Sequence, residues 1–231
     1  MSWDSAALRT PATAYAQTLG AIISGTMKTE IKTFLDNLNS DFDIVKEQVD
    51  KYYNFDNKAD LRHDGAVKIF NRTWVAPMNY GLLLFPPADK AIIEKFEKKE
   101  KLKIPDFYKT ILTMMNGCFI YDFSLFGLPK SIYEKGLLDR SDLYQFDLGT
   151  ANKDWILEYD VEPNLFHFGG RAYSYDENTG YFIDTTNKIY SILPSGQILN
   201  TWTSFKKFLT DEILEAETMM REELPKDLRK K

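Results

Sequence analysis

Four short runs near the C-terminal end constrain this chain most: Ala172 to Asp176, Tyr181 to Thr185, Lys188 to Leu193 and Gln197 to Trp202. Each is rich in aromatic or β-branched residues. Between them stand turn formers, Asp176-Glu177-Asn178-Thr179-Gly180, Thr186-Asn187 and Pro194-Ser195-Gly196. Short β-prone runs joined by turns this tight pair with their sequence neighbours, so the pattern predicts an antiparallel meander. A further run, Leu165 to Phe168, precedes it, and Gly169-Gly170 reads as a turn or bulge. Ser204 is placed to cap a closing helix whose apolar stripe is Phe205, Phe208, Leu209 and Leu214.

Upstream the period changes from two to about 3.6. Ile31, Phe34, Leu35 and Leu38 share one helical face, and Phe42, Val45, Val49 and Tyr52 form a second series after Asn39-Ser40-Asp41. Ala66 to Val75 and Tyr80 to Phe85 read as two paired strands. Ala88 to Lys101 returns to helix, with Ile92, Ile93 and Phe96 inward and a solvated face of lysine and glutamate. Pro105 is expected at the first position of the next helix. Tyr108, Ile111, Leu112 and Met115 form its stripe, and Gly117 its left-handed stop. Cys118 to Phe126 is strand-like. The expected class is α+β, a single domain with an antiparallel β-sheet meander packed against N-terminal and C-terminal helices.

A chain of 231 residues with 44% hydrophobic residues can bury a core without disulfides or a structural metal. Its single cysteine, Cys118, allows no internal disulfide, which fits a reducing cytoplasm. The longest apolar run, Gly81 to Phe85, has strand length and cannot span a membrane. Residues 1–26 lack a basic n-region and are expected to be a flexible leader. Residues 27–79 then form a helical and strand extension packed on the domain, 80–215 the main domain, and 216–231 a charged tail.

From Ile92 onwards the motifs fall in a recognisable order. Ile93-Glu94-Lys95-Phe96-Glu97 is followed by Ile104-Pro105-Asp106-Phe107-Tyr108, then Ile111-Leu112 and Met115-Asn116-Gly117. Leu125-Phe126-Gly127, Phe166-His167-Phe168-Gly169 and Thr203-Ser204-Phe205 with Phe208-Leu209 complete the series. This order resembles the SUKH superfamily, the Smi/Knr type of domain, over roughly residues 80 to 215. Ile104 stands where leucine is common before the proline, a tolerable swap in a core. The resemblance implies a binding domain. Many bacterial members look like immunity proteins that neutralise a cognate toxin, often a nuclease, and fungal relatives act as regulatory adaptors.

The residues themselves offer no recognisable catalytic constellation. His63 and His167 are far apart in sequence, Cys118 has no nearby cysteine or histidine, and nothing has zinc spacing, so no cofactor or metal is expected. His167 alternates with Phe166 and Phe168 and reads as an exposed or hydrogen-bonded structural residue, and Cys118 as a buried inert thiol. Asp176 to Gly180 has its glycine one position early for a calcium loop and reads as a hairpin turn.

The distinctive surface candidate is Leu137 to Pro163, whose local charge of −5 equals that of the whole chain. Its partner-binding candidates are Asp139, Asp142, Tyr144, Asp147, Asp154, Trp155, Glu158, Tyr159 and Asp160. Aromatic anchors set among charges of one sign suit a protein partner that is basic, such as a nuclease toxin. The competing reading is a solvated acidic loop whose aromatics plug into the core. Direct binding of DNA or RNA is disfavoured, because this surface repels phosphate.

Overall fold

The computed structural model describes residues 27–53, 59–62, 64–76, 79–129, 147–174 and 177–226. The chain opens with helix α1 (Thr29–Asp36), a 3₁₀ turn (Ser40–Phe42) and helix α2 (Asp43–Tyr52). Strands β1 (Asp60–Leu61), β2 (Val67–Asn71) and β3 (Tyr80–Leu84) lead to helices α3 (Lys90–Glu100) and α4 (Asp106–Leu112). Strands β4 (Cys118–Ile120) and β5 (Phe123–Leu125) follow, then helix α5 (Leu148–Lys153) and a 3₁₀ turn (Trp155–Glu158). Strands β6 (Phe166–Ser174), β7 (Glu177–Ile183), β8 (Ile189–Ile192) and β9 (Ile198–Trp202) precede the closing helix α6 (Phe205–Glu222). Among the described residues the nine strands form one sheet in sequence order, every neighbour antiparallel. The molecule is thus α+β, and the meander runs through the whole sheet instead of its last four strands only.

Alternation along the strands sorts residues onto two faces. Leu82, Leu84, Cys118, Ile120, Phe123, Leu125, Phe168, Tyr181 and Ile183 lie in the main core with Tyr108 and Leu112 of α4 and Phe208, Leu209 and Ile213 of α6. Leu83 and Phe85 turn the other way and, with Ala66, form a small second cluster against Phe119. His167 and Phe182, directly opposite in the β6–β7 register, also face that second side.

The predicted runs Leu165 to Phe168 and Ala172 to Asp176 both contribute to one strand, β6, through residues 166–168 and 172–174, while residues 175–176 lie outside the described residues. Gly169 does not turn the chain; it sits at a bulge between His167 and Gly169 in the pairing with β7. A β-carbon there would lie 2.6 Å from the Ser124 carbonyl oxygen, so only glycine permits the close approach of β5. Asn178, Thr179 and Gly180, read as turn residues, are paired within β7. Val67–Asn71 is likewise shorter than the run predicted to reach Val75, which ends in a turn.

The Pro105 to Gly117 stretch is also revised. Pro105 is the extended residue just before α4, and the helix ends at Leu112, capped by Thr113. Gly117, at φ +88°, lies in the turn leading into β4, where a β-carbon would meet the Leu125 carbonyl oxygen at 2.7 Å. Asn116 brackets the backbone of Leu128: its Oδ1 accepts from Leu128 N–H (2.7 Å) and its Nδ2 donates to Leu128 C=O (3.2 Å). The fully buried Tyr108 donates to the carbonyls of Phe126 (2.6 Å) and Phe168 (3.1 Å), tying α4 to the sheet.

α2 is joined to α6 through buried polar groups. The Glu217 carboxylate accepts from Gln48 (2.9 Å), Tyr52 (2.7 Å), Lys51 and Arg221 (3.0 Å), while Tyr121 donates to Gln48 (2.7 Å). Burial raises the Glu217 pKa, but these donors outweigh it and hold the carboxyl below its usual value. α6 runs through the boundary expected at 215: Ala216, Glu217 and Met220 are buried, as is Leu224 beyond the helix.

Candidate functional site

α5 is held against the backbone edge of β6 by side chains that imitate strand pairing, with Leu148 and Ala151 in the main core. Asp147 caps α5, its Oδ1 accepting from Gly149 N–H at 2.8 Å and its Oδ2 from the Thr150 hydroxyl at 3.2 Å. Asn152 then grips β6: its Oδ1 accepts from His167 N–H (2.9 Å) and its Nδ2 donates to His167 C=O (2.8 Å). Lys153 is drawn aside by Glu100 at 2.5 Å. The 3₁₀ turn that follows lies beside the sheet, with Trp155 edge-on to Phe126 at 5.4 Å.

The His167 ring is the pivot of this face. It stacks on Phe182 (4.5 Å between centroids, 17°) and meets Phe126 and Tyr159 edge-on at 5.1 and 5.4 Å. Its Nδ1 lies 3.3 Å from the Ala151 carbonyl oxygen, which can only accept, so the neutral ring carries its proton on Nδ1. Burial pushes the imidazole down to about 4, against the carbonyls of Ala151 and Gly169, which favour the proton. The ring is neutral at physiological pH and 2% exposed. The expectation of a structural, hydrogen-bonded histidine is met, and exposure is not.

Trp155, Glu158, Tyr159 and His167 line a groove of about 470 Å³, with Phe119, Ser124, Phe126 and Gly170 along its other side. Glu158 is exposed and Trp155 half-buried. Burial, and then the neighbouring Glu158 charge, push the Tyr159 phenol up to about 12, so it stays neutral. Arg171 contributes to the same lining, but its guanidinium is buried beneath the sheet and held by Asp122 (3.0 Å), Glu212 (3.4 Å) and Glu215 (3.3 Å). The groove therefore presents aromatic surface with negative charge at its edge.

Of the nine partner-binding candidates, three converge here: Trp155, Glu158 and Tyr159. Asp154 and Asp160 are exposed beside the same turn but do not line the groove. Asp147 is a helix cap whose carboxylate is occupied by α5, so its assignment to a partner surface is not supported by its geometry. Asp139, Asp142 and Tyr144 lie outside the described residues, as does His63. Sequence reasoning missed Phe119, Ser124, Phe126 and Asn152. Period-2 alternation could have put Phe119 and Ser124 on one face, but nothing local says that Trp155 and Tyr159 line a groove with them.

A second cleft of about 560 Å³ separates α4 from the β7–β8 turn and is lined by Pro105, Phe107, Asn164 and Asp184. Asp184 is already committed there, accepting from Thr186 N–H and hydroxyl, Lys188 N–H and the Tyr190 hydroxyl. Cys118 is fully buried, and burial pushes its thiol up to about 12 despite a backbone hydrogen bond with Leu125. Among the described residues no cluster of three His, Cys, Asp or Glu could hold a metal, and no helix is long and apolar enough to cross a membrane.

Comparison with known proteins places these elements in a family context. No curated protein matches the chain closely enough to name as a relative. A model of the SMI1 / KNR4 family (SUKH-1) matches residues 87–211. That span runs from just before α3 into α6, including α4, with its Tyr108 anchor, and the α5 segment that walls the groove. The match covers more than half of the sequence, and the chain belongs to the SMI1 / KNR4 family (SUKH-1).

Proposed function

We propose that this chain is a non-catalytic protein-binding domain, an immunity protein that binds and neutralises a cognate basic toxin such as a nuclease, acting in the cytoplasm. The observation that carries the reading is the convergence of Trp155, Glu158 and Tyr159 on one open groove. Half-buried aromatic anchors beside unsaturated negative charge suit a cationic protein surface. Family membership is consistent with this role. Neither of the described groups best suited to base or nucleophile chemistry is poised for it: the His167 pKa is about 4 and the Cys118 thiol lies near 12, both buried.

The test is co-expression with the toxin candidate encoded by the adjacent gene. Restored growth and a 1:1 complex are expected. No rescue, combined with several weaker partners recovered from the host, would favour a regulatory adaptor of the Smi/Knr type instead.

A further inference from the structure

β9 closes the sheet at one side. It pairs with β8, and among the described residues no strand pairs with its other edge. Where β8 turns into β9, Leu193 N–H donates to Gln197 C=O at 3.0 Å. Hydrogen-bonding direction alternates along an antiparallel strand, so the next residue, Ile198, directs its N–H and C=O away from β8. Ile198 is 52% and Leu199 39% exposed, and Asn200 and Thr201 are exposed with them. Edge strands are commonly shielded by lysine, proline or another charge, and Gln197 to Thr203 contains none of these. The one shielding device is a bulge at Leu199, which the register skips between Ile198 and Asn200.

The two ends of β9 differ in charge. At its start, Asp160 N–H donates to Pro194 C=O at 3.0 Å and so fixes the acidic turn beside the strand. Asp160 and Glu162 are exposed there. At its end, Ile189 pairs with Trp202, which sets Lys188 level with Thr203, its ammonium 5.0 Å from the centre of the Tyr190 ring. No salt bridge to Asp160, Glu162 or Lys188 occurs among the described residues. Lys207, in the first turn of α6, keeps 68% of its side chain exposed although Asp211 holds its ammonium at 2.8 Å.

We propose that β9 is the interface of a symmetric dimer, pairing antiparallel with β9 of a second copy of this chain. A two-fold axis through such a pair sets the start of each strand beside the end of the other. Asp160 and Glu162 of each copy then approach Lys188 and Lys207 of its mate, and the uncharged strands meet without repulsion. A uniformly basic partner would instead meet like charge at the lysine end of the edge. No β9 residue lines the groove, so the dimer makes no use of that lining and keeps one groove per chain. Two edges of five residues form a small interface, and a dissociation constant on the order of 0.1 to 1 mM is expected.

The experiment follows the full chain by sedimentation velocity and amide NMR from roughly 10 μM to 1 mM, a range that brackets that constant. A reversible rise in mass towards twice that of the monomer is expected, with a concentration-dependent shift and slower exchange at the Ile198 amide. Ile198→Lys, at an exposed position, should weaken association about tenfold or more. Asp160→Lys and Lys207→Glu each place like charges together twice across the axis and should each weaken it about fivefold. Mixing those two variants should recover native association, because each copy then supplies the charge that the other has lost. A monomer throughout this concentration range would overturn the proposal. So would shifts confined to residues outside β9, or a mixture that associates no better than either variant alone.

Discussion

At the scale of single residues, His167 makes the sharpest prediction. Its folded pKa of about 4 lies below the ordinary value of 6.5 because the ring is buried. The unfolded chain therefore takes up the proton first as pH falls. The stability that this neutral ring contributes is complete above pH 6.5 and is lost between 6.5 and about 4. Over that window His167 should add a slope of up to ~1.4 kcal/mol per pH unit to the unfolding free energy. His167→Phe keeps the stack on Phe182 and should remove that component, as denaturant titrations at several pH values would reveal. An unchanged slope would mean that the ring titrates normally. Alternation with Phe166 and Phe168 was enough to assign the side of the sheet on which this histidine stands. Its burial was not legible, because the covering residues Ala151, Asn152 and Tyr159 come from a different element.

At the scale of elements, the Glu217 network decides whether α2 and α6 act as one unit. Removing the carboxylate by Glu217→Ala leaves Gln48 and Tyr52 without their acceptor inside the protein, and should cost about 3 kcal/mol near neutral pH. The deficit should narrow in acid. The folded Glu217 pKa is depressed, so its contribution is present above the unfolded glutamate value and disappears as pH falls through the folded one. Hydrogen exchange should locate the loss in α2 before the sheet opens. A second element-level prediction concerns α4: Tyr108→Phe removes one hydroxyl shared by two carbonyls and should cost about 1–2 kcal/mol by thermal or denaturant unfolding. The elements themselves were largely readable from the sequence, since turn formers punctuate β7 to β9 and apolar stripes mark α1, α2, α3 and α6. Their ends were less so. Gly117 keeps the left-handed backbone expected of it (φ +88°) without ending the helix, and Gly169 is the bulge of its two readings; both must also be glycine because another backbone passes close by, a demand set by β5 that no local pattern carries.

At the scale of the whole molecule, the family match covers 87–211, yet β1 to β3 pair into the same sheet and α1 and α2 share the same core. The sequence could show an extension but not that it completes the fold, because strand pairing at long range leaves no local signature. The acidic segment was legible as composition, and its division was not. Asp147 went to a helix cap, while Trp155, Glu158 and Tyr159 went to the groove. If the remaining charges steer a basic partner, Asp154→Lys with Glu158→Lys should slow association by about tenfold or more at low salt, and the difference should shrink as ionic strength rises.

Docking of a protein partner at this groove is tested most directly by the dissociation constant for whichever partner the co-expression experiment identifies, measured with the native protein and with Trp155→Ala. A central aromatic anchor should carry at least ~2 kcal/mol, so the variant should bind about 30-fold more weakly under conditions where circular dichroism shows both proteins folded. Binding of equal strength by both proteins would contradict docking at this groove.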